Sequence, residues 1–380
     1  MTVRTAVVVG GGIGGLATAV ALCREGWQVE VWERAAEFTE IGAGLSLWPN
    51  ALRALAVLDL ADHVKKLGAV ETRGGARDRT GRWLVRTDNS ELERRFGEPL
   101  IVVHRADLVR TLVEALPAAA LRPSTTVTGI HDDGDAVVVE NDHGSLRADL
   151  VVGADGLHST VRRLGWPTAE PPRYAGYTAW RMVTEPLPEP LPDGAVTWGR
   201  GERFGFTSMR GNRVYCFCTG NVPAGGVTPD GEYAELRRRF GTWAEPIPTL
   251  LAAVTPDDVL RHDIYDLPAL PTYVSGRVVL LGDAAHAMTP NLGQGACQAL
   301  EDAAVLGACL AQARDVGSAL ARYDRQRRTR TQRIVRRSAR LGAVGQLAWP
   351  PAVLARNLLA RLTPGTATLR SMEPILGWDP

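Results

Sequence analysis

The chain opens on a β-branched run, Thr5-Ala-Val-Val-Val9, that gives way to Gly10-Gly-Gly-Ile-Gly-Gly15. A short apolar run bounded by glycine reads as a parallel strand buried on both faces. Leu16, Val20 and Cys23 then recur at helical spacing up to Arg24, and Gly26 closes that helix. Gln28-Val-Glu-Val-Trp-Glu33 reads as the next strand. Strand, glycine turn, helix and strand make a βαβ unit with a right-handed crossover. Helices are predicted near Asn50–Leu60 and Ala106–Ala115. Strands are predicted at Ala136–Glu140 and Asp149–Gly153, around the turn Asn141-Asp-His-Gly144.

From Arg173 to Asp266 the pattern changes. Prolines cluster between Pro186 and Pro192, and strand-like aromatic runs follow at Ala195–Trp198, Phe204–Ser208 and Arg213–Cys218. This reads as a mostly antiparallel sheet. Arg277-Val-Val-Leu-Leu281 returns to the buried parallel type. A long helical stretch then covers roughly Gly295 to Arg340, broken near Asp315–Ser318. The division this implies is a discontinuous unit over 1–172 and 262–345, a sheet lobe over 173–261, and a helical tail over 346–380.

Composition narrows the partners. Forty-three basic against forty-two acidic side chains leave a formal charge of +1, so nucleic acid is not an expected partner. No apolar run approaches the roughly 20 residues needed to cross a bilayer. The apolar stretch Ala6–Cys23 is broken by glycines and lacks a basic leader, so it does not read as a signal sequence. Five cysteines without disulfide-like spacing suit a reducing cytoplasm. Cys216 and Cys218 share one face of a predicted strand and read as small buried side chains rather than a metal pair. The seven histidines lack ligand spacing. Nine arginines between Arg322 and Arg340 admit a membrane-surface or nucleic-acid helix. The neutral overall charge favours a solvated outer face, packed inward by Tyr323, Ile334 and Leu341.

Gly10-x-Gly12-x-x-Gly15 is the dinucleotide fingerprint: a tight turn, close backbone approach to a pyrophosphate, and close helix–strand packing. The helix it opens aims free N–H groups and its positive dipole end at phosphate. Glu33, eighteen residues past Gly15 at the end of the second strand, is placed to accept from ribose hydroxyls.

Further motifs select the dinucleotide. Gly153-Ala-Asp-Gly156, followed by Ser159, Val161 and Arg162, closes one predicted strand. Gly282-Asp283 closes another and leads through Pro290-Asn-Leu-Gly-Gln-Gly295 into a helix. In this order and spacing they resemble the single-component FAD-dependent aromatic hydroxylases of the p-hydroxybenzoate hydroxylase type, with compact members such as the urate and salicylate hydroxylases. The likeness runs through Trp48-Pro-Asn50, Arg105-Ala-Asp107 and Tyr174-Ala-Gly-Tyr-Thr-Ala-Trp-Arg181. It implies an α/β fold: a Rossmann-like FAD-binding domain, an inserted, mostly antiparallel β-sheet substrate lobe, and C-terminal helices.

The resemblance implies FAD held by Gly10, Gly12, Gly15, Glu33 and Arg34. It puts Arg105 on the phosphates, Asp283 on the ribityl chain, and Pro290, Gly293 and Gly295 beside the flavin. Asp155 is tied in such enzymes to FAD and NAD(P)H, and reads equally well as a turn aspartate capping a helix. With one fingerprint only, NADPH or NADH is expected to dock transiently in a surface groove. O2 is the implied cosubstrate, and a C4a-hydroperoxyflavin the species that hydroxylates an aromatic or conjugated small molecule. His286 is implied to be structural rather than a base.

Such chemistry needs a dry chamber and a group that makes the substrate electron-rich. Arg203, Phe204, Phe206, Met209 and Tyr215 are candidates from the sheet lobe, and the resemblance singles out Arg203 and Tyr215 as catalytic. Asn291 stands where the urate hydroxylases keep an aspartate, which counts against urate. Epoxidation or decarboxylative hydroxylation on the same fold, a flavin reductase or halogenase, and an FAD-binding sensor are the alternatives. A halogenase is disfavoured because its Trp-x-Trp-x-Ile-Pro motif is missing.

Overall fold

The computed structural model describes residues 4–39 and 43–380. Its first layer is a six-stranded sheet in which Thr5–Val9 lies between Gln28–Trp32 and Leu150–Gly153, all parallel. Leu150–Gly153 pairs in turn with Val278–Leu280. Thr5–Val9, Leu150–Gly153 and Val278–Leu280 lie far apart in the chain, yet each carries an apolar run on both faces, as a parallel sheet covered by helices requires, whereas Gln28–Trp32 alternates, with Gln28 exposed. Val7, Val8, Val151, Val152, Val279 and Leu280 are all fully buried. The helix Ile13–Arg24 packs against the helix Gly295–Gln312 over this sheet.

The second large layer is a seven-stranded sheet. Its central strands are Arg173–Val183, Val214–Gly220, Glu202–Ser208 and Ala195–Trp198, antiparallel to one another. Leu260–Asp266 forms one edge. At the other, Arg73–Asp78 pairs in parallel with Ala195–Trp198 and is followed by Trp83–Asp88. The sheet therefore reaches beyond the 173–261 segment expected for it, into residues grouped with the first unit. The physical reason is local. Arg73-Gly-Gly-Ala-Arg-Asp78 has no β-branched residue, and Gly75 sits at φ +149°, where an added Cβ would lie 2.2 Å from the Val85 carbonyl oxygen. A kinked, glycine-bearing strand carries no period-two signal.

The helical stretch predicted from Gly295 to Arg340 is two helices, Gly295–Gln312 and Val316–Gly345, broken where Asp315 caps the second through the Ser318 N–H at 2.8 Å. Pro350–Leu362 and Gly365–Leu376 complete the chain. Two smaller three-stranded sheets flank the layers.

Candidate functional site

A single cavity of about 1040 Å³ runs from the glycine turn to the face of the seven-stranded sheet. At its first end, Gly10 has φ +112°, and a Cβ there would meet the Ala154 carbonyl oxygen at 2.4 Å. Gly15 does not line the cavity. A Cβ on Gly15 would fall 1.9 Å from the Gly10 carbonyl oxygen, so its lack of a side chain lets the turn close on its own helix. Gly12 is the N-cap of the helix Ile13–Arg24, with no side chain capping that end and no acid in its first turn. Its first N–H groups border the cavity, an arrangement suited to an anion.

Glu33 borders the same space. One carboxylate oxygen accepts from the Gly11 N–H at 2.7 Å and the other from the Ala35 N–H at 2.8 Å. A carboxylate has about four acceptor positions, so Glu33 locks the glycine turn and keeps capacity for a ligand. Arg34 stands exposed at the rim.

Asp155 also borders the cavity, but its carboxylate is engaged: it accepts from the Thr160 N–H at 2.6 Å and the Val161 N–H at 3.1 Å. Of its two readings, the geometry displays the helix cap. Buried Arg162 joins this loop to the next, donating to the Leu157 carbonyl at 2.6 Å and the Ala284 carbonyl at 2.8 Å. That holds Asp283 opposite, at the start of a single helical turn, with its side chain exposed to the cavity.

Pro290, Gly293 and Gly295 line the middle of the cavity, where the helix Gly295–Gln312 begins. This end too has no side-chain cap and no acid in its first turn. A Cβ on Gly295 would meet nothing within 4 Å, so this backbone faces open space. Two donors beside it, Trp48 Nε1 and Gln294 Nε2, are buried with no hydrogen-bond partner. Buried donors are seldom left unmet. Carbonyl or ring-nitrogen acceptors of a ligand would meet both, as an anionic group would suit the glycine cradle and hydroxyl donors the spare acceptor capacity of Glu33.

Arg105 begins the helix Arg105–Glu114 and reaches the cavity from the opposite wall. Desolvation pulls its pKa down and Arg181 adds to this, while Asp283 and Tyr215 oppose it. A guanidinium remains charged through such a shift.

The far wall is one face of the seven-stranded sheet. Arg203 pairs with Thr219, and Thr207 with Tyr215, on adjacent strands. Ala179, Arg181, Trp198, Phe217 and Thr219 share that face and line the cavity. Alternation turns Phe204 the other way, edge-on to Phe240 in a second core with Cys216, Cys218 and Trp180. Met209 does not line the cavity, whereas Phe206 borders both spaces. Of the five candidates from this lobe, Arg203 and Tyr215 thus share the cavity face and Phe204 and Met209 do not. Strand alternation alone forbids Arg203 and Phe204 from sharing a face.

Arg203 is buried. Its Nε donates to Gln346 Oε1 at 2.9 Å, and its guanidinium lies 5.7 Å from the Tyr177 ring centroid. Asn291 Nδ2 donates to the Tyr177 hydroxyl at 3.0 Å, while Asn291 Oδ1 is buried with no hydrogen-bond partner. Burial pushes the Tyr215 phenol pKa up, with Arg181 and Arg105 pulling it back. A phenol so placed is a hydrogen-bond donor rather than a base.

Sequence reasoning passed over Glu71. It borders the cavity and accepts from Asn89 Nδ2 at 3.3 Å and from the Thr207 hydroxyl. Burial pushes its pKa up, and the two hydrogen bonds pull partway back. An acid in an unpatterned loop gives no advance sign of this. The arginine-rich helix is likewise not a uniformly solvated face. Arg327 is buried, with Nε on Asp302 at 2.6 Å and a second nitrogen on Glu301. His286 is also buried, with Nε2 2.6 Å from Asp302. Among the described residues, no group of three His, Cys, Asp or Glu side chains could hold a metal ion.

This geometry defines a dinucleotide-binding flavoprotein, and comparison with known proteins names the family. Residues 3–338 match the FAD binding domain family, to which the chain belongs. It is 39% identical over 347 residues to the aurachin C monooxygenase/isomerase of Stigmatella aurantiaca, covering 90% of each chain. It is 37% identical over 338 residues to the FAD-dependent urate hydroxylase of Klebsiella pneumoniae, covering 87% of each. The crystal structure of Klebsiella pneumoniae HpxO complexed with FAD and uric acid superimposes with a TM-score of 0.92. That match has 33% identity and covers 98% of this chain and 96% of the other. FAD is the cofactor.

Proposed function

We propose that the chain is an FAD-dependent monooxygenase that uses NADPH or NADH and dioxygen to hydroxylate an aromatic or conjugated small molecule. One observation carries this reading. The glycine cradle and the aromatic, arginine-bearing sheet face are two ends of one cavity, with an uncapped helix N-terminus between them. Bound FAD supplies the redox chemistry: a hydride is taken from the nicotinamide, one oxygen atom of O2 goes to the substrate, and the other leaves as water.

The chain's own residues bind, orient and exclude water. Gly10, Gly12 and the first N–H groups of the helix Ile13–Arg24 receive the pyrophosphate, Glu33 the ribose, and Arg105 a phosphate. Arg34 contributes charge at the rim. Asp283 would hold the ribityl chain, and the N-terminus of the helix Gly295–Gln312, which borders the same space, would favour an anionic reduced flavin through its dipole. Pro290, Gly293 and Gly295 shape that space, and Asp155 holds the neighbouring loop by capping. Arg203 offers a buried cation and Tyr215 a hydroxyl donor to the substrate, while Trp198 and Phe217 keep the chamber apolar.

Similarity to an aurachin C monooxygenase/isomerase and a urate hydroxylase supports a small aromatic or conjugated substrate. Asn291 in place of a carboxylate favours a substrate other than urate. The test is a panel of phenols, aromatic acids and fused heteroaromatics, reading NAD(P)H oxidation and O2 uptake. A substrate must stimulate both together; if no compound does, an FAD-binding sensor is the better reading.

A further inference from the structure

The helix Pro350–Leu362 is inside out. Its inward side carries Val353, Asn357, Ala360 and buried Arg356, which donates to the Gly345 and Gly199 carbonyls at 3.1 and 2.9 Å. Its outward side carries Leu354, Leu358, Leu359 and Leu362, each more than half exposed and Leu354 71% so. Trp349, immediately before it, is 69% exposed. A helix folded only for its own chain would present the reverse pattern. A contiguous exposed apolar face of this kind marks an interaction surface.

The charge around it identifies the partner. Between Arg325 and Met372 there are eleven arginines and no acidic residue, in a chain whose formal charge is +1. Arg333, Arg336 and Arg340 stand exposed on the last turns of the helix Val316–Gly345, which leads into Trp349, and Arg370 is exposed on the following helix. Of the eleven, Arg327 and Arg356 are buried, and Arg328, Arg330 and Arg361 are paired with Asp324, Glu301 and Asp78, so the remaining exposed charge rests on Arg325, Arg333, Arg336, Arg340 and Arg370. A symmetric dimer would set this patch against itself, arginine against arginine, with no acid of the segment to pair. Leucines and a tryptophan flanked by arginines match a lipid surface with anionic headgroups, because the apolar side chains enter the acyl boundary while the cations meet phosphate. The same segment also walls the cavity: Ala360 of the helix and Thr363, just past its end, line it.

We propose that Pro350–Leu362, with its flanking arginines, is a docking element that seats the protein on an anionic membrane surface beside the cavity's outer wall. No helix among the described residues is long and apolar enough to cross a membrane, so the attachment is peripheral and reversible.

The test uses the full FAD-loaded chain in vesicle flotation, with its oligomeric state read in parallel by sedimentation. Vesicles of equal parts phosphatidylcholine and phosphatidylglycerol should carry the protein up, and phosphatidylcholine alone should carry about tenfold less. High salt should release it. The triple variant Leu354→Ser, Leu358→Ser, Leu362→Ser should lose flotation while keeping its flavin absorbance, since none of these side chains lines the cavity. Arg336→Gln with Arg340→Gln should weaken anionic binding alone. Three results would each overturn the proposal: failure to float with anionic vesicles at low salt, flotation unchanged in the triple variant, or a dimer that the triple variant dissociates. Catalysis is not read, so failure here is separate from failure of the monooxygenase reading.

Discussion

Asp302 accepts the backbone N–H of Gly282 at 2.9 Å, one residue before Asp283. The same carboxylate oxygen lies 2.6 Å from His286 Nε2, and the other oxygen takes Arg327 Nε at 2.6 Å. A buried ion pair on two helices thus fixes the strand end that presents Asp283 to the cavity. These contacts hold the Asp302 pKa at about 2, below its ordinary 3.8, as His286 and Arg327 overcome desolvation. The folded protein keeps this group ionised, so its stabilisation is complete above the unfolded-state value and is lost as pH falls through the folded one. Asp302→Asn should cost about 3–5 kcal/mol near neutral pH, because Arg327 loses a buried partner. The gap from wild type should narrow by on the order of 2 kcal/mol between about pH 5 and pH 2, measured by urea unfolding. A gap independent of pH would contradict the assignment.

Glu33→Gln keeps one acceptor oxygen and gives up the other, along with the charge. The Gly11 or the Ala35 N–H then loses its partner, and the ribose loses a charge-assisted acceptor. FAD affinity should fall about ten- to a hundredfold by fluorescence titration. An unchanged dissociation constant would remove Glu33 from the site.

Gly15→Ala tests packing rather than contact. Its Cβ would lie 1.9 Å from the Gly10 carbonyl oxygen, so the turn must open. The purified variant should lose its yellow colour and melt lower than wild type, although residue 15 does not touch the cavity. Retention of stoichiometric FAD would show that the turn has slack.

Asp283→Ala separates anchoring from positioning. FAD binding should weaken. In the fraction still loaded, more hydrogen peroxide should form per NAD(P)H oxidised, because a displaced flavin admits water. The reduction potential should also fall as the anionic reduced form loses its helix contact. If affinity alone drops, Asp283 is an anchor and the positioning role fails.

The βαβ unit was legible because Thr5–Val9, the glycines and Glu33 lie within one short window where local pattern and fold agree. The sheet face was half legible. Alternation sorts Arg203 from Phe204, yet only the register of Thr207 with Tyr215 shows that Arg203 and Tyr215 share a wall. Glu71 was not legible, since burial raises its pKa against hydrogen bonds from Thr207 and Asn89, and these neighbours are remote in sequence or lack a motif. Arg327 was hidden by its setting: nine arginines in one helix look alike until helix packing buries one beside Glu301 and Asp302.

The central claim is oxygen transfer through a flavin in this cavity. Turnover under isotopically labelled dioxygen, with any compound that stimulates NAD(P)H oxidation, tests it most directly by mass spectrometry of the product. The account predicts one labelled oxygen atom per product molecule and one NAD(P)H consumed for each. Unlabelled product, or NAD(P)H oxidised with the dioxygen recovered wholly as peroxide, would contradict it.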